Sequence, residues 1–230
     1  MPRTVAIVQS NYIPWKGYFD LIRSSDEFIF FDDVQYTRRD WRNRNRIKTK
    51  DGLLWLSIPV QSKGRYHDAI SDMVVSDPDW ARRHWKTITT NYARALHFKD
   101  YADLFAPLYL NSTETYLVDI NFNFIQTICG ILGISTKLSK CSDYELVCGR
   151  TERIVHLCRQ ARADRYLSGP SARSYLDSSL FAAAGIELVF VDYSGYPEYP
   201  QLYQPFEHNV SIIDLIFNQG SAATHFMLTF

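Results

Sequence analysis

Two short apolar runs lie unusually close together at the start of the chain, Val5-Ala-Ile-Val8 and Glu27-Phe-Ile-Phe-Phe31. Between them Pro14 breaks the backbone, and Tyr18, Leu21 and Ile22 recur at helical spacing, which predicts a helix from near Lys16. A strand rich in β-branched residues, a helix and a second strand within about thirty residues form a βαβ unit, whose crossover is expected to be right-handed. The first run is apolar throughout, as in a central strand buried on both faces. The chain should therefore build an α/β fold, a Rossmann-like, mostly parallel sheet flanked by helices.

The remaining patterns extend that expectation. Leu53-Leu-Trp-Leu-Ser-Ile-Pro-Val60 reads as a third strand, with Gly52 suited to a tight turn and Pro59 placing its end near a sheet edge. Over 79–132 the period changes. Trp80, His84, Trp85, Ile88 and Tyr92 share one helical face, as do Leu117, Ile120, Phe124 and Ile128, so this stretch is expected as a helical insertion or layer in the middle of the chain. Alternation then resumes with a strand at Thr136-Lys-Leu138, a helix carrying Ile154, Val155, Leu157 and Cys158, and a strand at Arg165-Tyr-Leu-Ser-Gly169. A helix from Ala172 to Ala184, a strand at Glu187–Val191 and a short helix capped by Ser211 complete it. With 230 residues, no repeat and no linker, one domain spanning 1–230 is expected.

Charge and cysteine usage narrow the function classes. Lys and Arg total 25 and Asp and Glu total 25, so no long-range field draws the whole molecule to nucleic acid or a membrane surface. Any cationic site has to be local. No apolar stretch has signal-peptide or membrane-span length, and the four cysteines follow no disulfide or metal spacing, so a cytoplasmic chain with reduced thiols and no membrane insertion is expected. The six histidines are dispersed, with no metal-ligand spacing, and no metal site or identified cofactor emerges.

Candidate site residues gather beyond the two N-terminal strands, where an α/β sheet binds ligands. Gln9 ends the first strand, Tyr12 and Trp15 flank Pro14, and Gly17 permits close backbone approach at a helix start whose N–H groups suit an anion. A packed structural turn explains the same residues. The second strand runs into Asp32 and Asp33, one of which could act as general base or magnesium ligand; Asp33 is the carboxylate proposed as base, with turn capping or pairing to a cation of the basic run as the alternative. Gln35 and Tyr36 follow.

A cationic row then occupies every second position, with Arg42, Arg44, Arg46, Lys48 and Lys50 separated by Asn43, Asn45, Ile47 and Thr49. In an extended chain at ~3.3 Å per residue all five would face one way over roughly 26 Å. The guanidinium fork suits phosphate oxygens, so Arg42, Asn43, Arg44, Arg46 and Lys48 are candidate phosphate ligands. A solvated edge strand, its cations blocking sheet-to-sheet pairing, is the competing explanation. Trp41 and Tyr36 would serve as stacking platforms for a nucleic acid, which the zero net charge disfavours.

Ser168-Gly-Pro-Ser-Ala-Arg-Ser-Tyr175 offers a second strand-to-helix loop, in which hydroxyls, the Gly169 backbone and Arg173 would cradle a phosphate or carboxylate, with ordinary N-capping by Ser171 as the alternative. His208, in Phe206-Glu-His-Asn, is the histidine placed to act as acid or base, and Cys148 beside Gly149-Arg150 is a further nucleophile candidate. Trp15-Lys-Gly-Tyr18 stands where a nucleotidyltransferase fold of the His-x-Gly-His type carries its signature, and both histidines are absent.

Gln9 with Tyr12–Asp20, Asp33-Val-Gln-Tyr36, Trp41–Lys48, Trp55–Val60, Tyr166–Gly169, Tyr175-Leu-Asp177, Tyr199-Pro-Gln201 and Ser211–Asn218 together resemble the WbqC-like family over nearly the whole chain. The resemblance implies a modifying step in bacterial surface-glycan (O-antigen) or natural-product biosynthesis, with an amide-forming acyl or aminoacyl transfer to an amino-sugar nucleotide fitting that setting. Its motif positions add Ser168, Gly169, Tyr175 and Gln201 to the expected substrate-binding set. An ATP-using ligase or nucleotidyltransferase and a non-catalytic module that binds an acyl-carrier protein are the alternatives. The expected partners are a phosphorylated small molecule or a carrier protein.

Overall fold

The structure is a computed structural model that describes residues 2–65 and 67–230. Five strands, β1 (Thr4–Val8), β2 (Glu27–Phe30), β5 (Lys137–Lys140), β6 (Arg165–Ser168) and β7 (Glu187–Phe190), form a wholly parallel sheet in the order β5-β2-β1-β6-β7. The chain lays strands outward on one side of β1 and then returns to lay β6 and β7 on the other. The order therefore reverses between β1 and β6, and a crevice opens there beyond their carboxyl ends.

Alternation along β1 shows why this order is stable. Val5 and Ile7 pack with Ile154, Leu157, Cys158 and Phe181 from α5 (Thr151–Gln160) and α6 (Ser178–Ala183) on one face. Ala6 on the other face joins Phe19 and Ile22 of α1 (Lys16–Arg23), Phe124 and Ile128 of α4 (Leu117–Ile131), and Ile216 of α7 (Ile212–Gln219). Full burial of each large β1 side chain stabilises by about 1.5–3 kcal/mol, which a strand with one wet face would lose at half its positions.

The segment between β2 and β5 holds a β-hairpin and three helices. β3 (Arg44–Thr49) pairs only with β4 (Gly52–Ser57), antiparallel, around the Lys50-Asp51 turn, where Gly52 takes φ +111°. The strand expected over 53–60 thus ends at Ser57 and stays outside the main sheet. Helices α2 (Trp80–Tyr92), α3 (Phe98–Leu110) and α4 follow, and their buried faces join the same apolar core as Ala6, Phe28 and Phe30 of the sheet. The helix expected over 172–184 is instead two pieces, a 3₁₀ turn at Pro170–Ser174 and α6, because the Asp177 carboxylate accepts from the Ser179 N–H at 2.9 Å and starts a new helix there. Ser211 caps α7 as the sequence indicates.

Residues 192–209 have no regular structure and run as a strap across α1 and α7. Tyr199 and Gln201 donate to the buried Asp214 carboxylate of α7 at 2.8 and 2.9 Å, and Tyr92 of α2 donates to it at 2.7 Å. Tyr196 donates to Asp20 of α1. Among the described residues, no helix is long and apolar enough to cross a membrane.

Candidate functional site

A cleft of about 670 Å³ lies at the crossover crevice. β1 contributes Val8 and the following Gln9 and Asn11, β6 contributes Ser168 and the following Gly169 to Ala172, and the segment after β2 contributes Phe31, Val34 and Gln35. Trp15, Tyr18 and Tyr193 make an aromatic wall, and Arg150 with Tyr175 closes the far side. Its size falls within the usual range for a pocket that takes a whole small-molecule ligand.

Arg42 reaches the cleft because its backbone is tied down from beneath. Asn121 of α4 donates to the Arg42 carbonyl at 2.9 Å and to Ser10 Oγ at 3.1 Å, linking the start of the hairpin to the loop after β1. The guanidinium then lies over that loop, donating to Asn11 Oδ1 at 2.5 Å and to the Gln9 and Ser10 carbonyls at 3.3 and 3.4 Å. Asp40 stands 3.6 Å away. Arg150, immediately before α5, stacks its guanidinium 3.8 Å from the centre of the Tyr175 ring. Among the described residues that line the cleft, Arg42 and Arg150 are charged and none is Asp, Glu, His or Cys. The charged side chains of the described lining are thus both arginines, and Arg42 is paired with Asp40 outside the lining.

Polar and aromatic groups complete the wall. Tyr18 Oη donates to the Gln9 carbonyl at 3.0 Å, fixing the β1 loop. Burial, and then the nearby Asp20 charge, pushes the Tyr193 phenol up to about 12, so it stays a protonated donor at neutral pH. Behind the loop, Asp32 accepts the Ser10 N–H at 2.8 Å; burial pushes its carboxyl up to about 6 while the Arg42 charge pulls it down. The turn itself is strained at Ile13, where a β-branched residue holds φ +37°, a conformation costing of order 1–3 kcal/mol. Asn45 of β3 stabilises it by donating to the Tyr12 and Ile13 carbonyls at 3.2 and 2.9 Å.

Of the residues singled out in the sequence, Gln9, Trp15, Gln35, Arg42, Ser168, Gly169 and Tyr175 meet in this cleft. The others go elsewhere. Tyr12 is fully buried, with its hydroxyl on His84 Nδ1 at 2.9 Å and Tyr109 Oη at 3.0 Å, and Tyr36 is buried too. The cationic row divides. Arg44 stacks 4.1 Å over Trp55, Arg46 lies beside the paired Trp41 and Trp55 rings, Lys48 turns inward to the Pro205 carbonyl, and Lys50 sits in the hairpin turn. Asn43 spans to the Ile58 carbonyl at 2.7 Å, and Gln201 is engaged with Asp214 and Glu207. Asp33 ion-pairs with Arg153 at 3.1 Å beside a smaller cavity at the ends of β2 and β5. His208 packs against Phe206 and Tyr196, where burial and the Lys16 charge lower its pKa. Cys148 is exposed.

Arg150, Asn11 and Tyr193 are cleft residues that were not among the expected substrate-binding set. In sequence, Arg150 reads only as a neighbour of Cys148, and its distance from the N-terminal motifs conceals their convergence. Tyr193 carries a weak signal, as one of several aromatics placed in turns away from helical stripes.

The parallel sheet and its order reversal define a doubly wound α/β protein with an arginine-bearing cleft at the crossover point. The chain belongs to the WbqC-like protein family, whose family model matches residues 9–226. It is similar to a protein from Mycobacterium tuberculosis (strain ATCC 25618 / H37Rv) called "Uncharacterized protein Rv1507c", with 52% identity over 225 residues that cover 98% of this chain and 97% of that one. No solved structure matches the chain.

Proposed function

We propose that the crossover cleft binds a phosphorylated small molecule, a nucleotide-sugar or a phosphopantetheine-bearing donor, and that the protein is a transferase acting on it. The observation that carries this proposal is the pair of arginines, Arg42 and Arg150, in a cleft whose described lining includes no carboxylate. Forked guanidinium groups recognise phosphate oxygens through two charge-assisted hydrogen bonds at once. Trp15, Tyr193 and Tyr175 add flat apolar surface against which a base or pantetheine arm would lie.

Within this framework the reaction is amide-forming acyl or aminoacyl transfer to an amino sugar, as the family's surface-glycan setting suggests. The amine lone pair attacks the acyl carbon, a base removes the proton from nitrogen, and the donor's ester or thioester bond breaks so that its oxygen or sulfur leaves as the alcohol or thiol carrying that proton. Asp33 is the proposed base: the neighbouring residues Phe31 and Val34 border the cleft, and Arg153 would have to release it. His208, beyond Trp15 and Tyr196, is the second candidate.

A thermal-shift panel of nucleoside diphosphates, nucleotide-sugars, ATP and coenzyme A tests the proposal, because a ligand that binds only the folded state raises the melting point. Nucleotide-sugars or coenzyme A should give shifts that Arg42→Ala and Arg150→Ala remove. A shift with ATP alone, accompanied by pyrophosphate release, would instead favour a ligase. No shift with any phosphorylated compound would overturn the assignment of the cleft.

A further inference from the structure

Next to the arginine-bearing cleft lies a further, smaller cavity of about 240 Å³, open to solvent and lined by Asn11, Pro14, Trp15, Trp41, Asn45 and Asn209. We propose that this cavity is a subsite for one uncharged sugar ring, placed so that a sugar carried on a nucleotide in the cleft would occupy it. The proposal rests on the anion-cleft assignment above only for that nucleotide half.

The lining has an informative chemistry. Three amides, two indoles and a proline carry no formal charge of their own. Amides both donate and accept, which matches hydroxyl groups that do the same. Indole faces carry the negative side of the ring quadrupole, which attracts the weakly positive C–H faces of a pyranose. At about 30 Å³ per liquid water, the cavity has the bulk of about eight waters, enough for a single sugar ring.

The polar capacity is also available. Asn45 is spent: its amide N–H groups go to Tyr12 and Ile13, and its oxygen accepts the Arg46 N–H at 2.8 Å. It acts as a rigid wall. Among the described residues, Asn11 uses its oxygen on Arg42 at 2.5 Å and its NH₂ group has no partner, while Asn209 is exposed and anchored only through its backbone N–H, 2.8 Å from Glu207 Oε1. Those two side chains can therefore bond sugar hydroxyls.

The two indoles are held before any ligand arrives. A Cβ built on Gly17 would fall under 3.0 Å from three atoms of the Trp15 ring, so only glycine lets that ring lie against α1. Tyr193 and Tyr196 meet the same ring edge-on at 5.1 and 5.5 Å. Trp41 is flanked by Trp55 at 5.4 Å and the Arg46 guanidinium at 5.7 Å, and its carbonyl accepts the Tyr12 N–H at 3.2 Å. Such preorganisation lowers the entropy lost on binding.

Asn11 and Trp15 border both cavities, and Asn11 touches Arg42 directly. A diphosphate at Arg42 would thus place its attached sugar across Asn11 and between the indoles.

Saturation-transfer NMR with a panel of methyl hexopyranosides and methyl N-acetylhexosaminides tests the subsite without a nucleotide. At least one glycoside should receive saturation from the protein, and Trp41→Ala and Asn209→Ala should each cut that signal at least fivefold. UDP, titrated separately into the same two variants, should bind as it does to the parent protein, within twofold. Absence of any glycoside signal in the parent, or a signal unchanged in both variants, would overturn the subsite. Glycoside binding that depends on Trp41 and Asn209 in a protein indifferent to UDP would uphold the subsite and refute the anion cleft.

Discussion

Asp20 should make the protein less stable as pH rises from 4 to 7, and Asp20→Asn should remove that slope. The residue is fully buried on α1, its Oδ2 accepts the Tyr196 hydroxyl, and its Oδ1 is left without a hydrogen bond. Burial pushes the carboxyl from an ordinary 3.8 up to about 6, against the opposing pull of Tyr196, the Leu228 backbone, Arg23 and Lys16. Below about pH 4 both folded and unfolded chains keep the proton. Between about 4 and 6 the unfolded chain ionises first and is favoured, and above about 6 the whole penalty applies. At ~1.36 kcal/mol per pH unit of displacement the penalty is about 3 kcal/mol at pH 7.

An asparagine keeps an acceptor for Tyr196 and carries no charge to bury. Its gain is trimmed because Lys16, lowered to about 8 by its own burial, loses the Asp20 charge that supports its protonated form. The net expectation is about 2 kcal/mol at pH 7, which corresponds to a melting point about 4–8 °C higher for a chain of this size, and no gain at pH 4. Urea unfolding of both proteins at half-unit steps from pH 4 to pH 8 measures the difference directly. Parallel stability curves across that range would refute the buried-charge account of Asp20.

Tyr12→Phe should cost about 1–3 kcal/mol in urea unfolding, since it strands the buried His84 Nδ1 and removes the link to Tyr109. Gly17→Ala should cost about 1–3 kcal/mol and change the near-UV circular dichroism as the Trp15 ring is pushed off α1; an unaltered spectrum would count against the packing described. Glu27 is buried among Arg3 at 2.7 Å, Lys137 at 2.9 Å, Ser139 and Tyr144, and despite burial these donors hold its carboxyl below the usual 4.5. Its contribution is complete above about pH 4.5 and lost as pH falls through the lower folded value, so Glu27→Gln should flatten the acid limb of the stability curve.

The sheet was legible in the sequence where local chemistry decides the outcome. Val5–Val8 needs no neighbour to identify it as a strand buried on both faces, and Pro14 with Lys16–Ile22 marks the helix that follows. The candidate site was legible only in part, because long-range contacts choose where side chains point. Arg42 shares a period of two with Arg44 and Arg46, yet the bond from Asn121 anchors it outside β3 and sends it to the cleft, while the other two stack on indoles. Tyr12 sits in a polar turn that Asn45 and the Trp41 carbonyl draw inward, so an apparently exposed aromatic becomes core. Arg150 arrives from over a hundred residues away, and no local pattern announces its meeting with Gln9.

Titration calorimetry of UDP into the parent protein, Arg42→Ala, Arg150→Ala and the double variant tests the anion cleft most directly. Loss of a charge-assisted hydrogen bond, at about 1.5–3 kcal/mol, should weaken binding about 10- to 150-fold in each single variant, and the double variant should show no heat of binding. UDP binding of equal affinity in all four proteins would contradict the account.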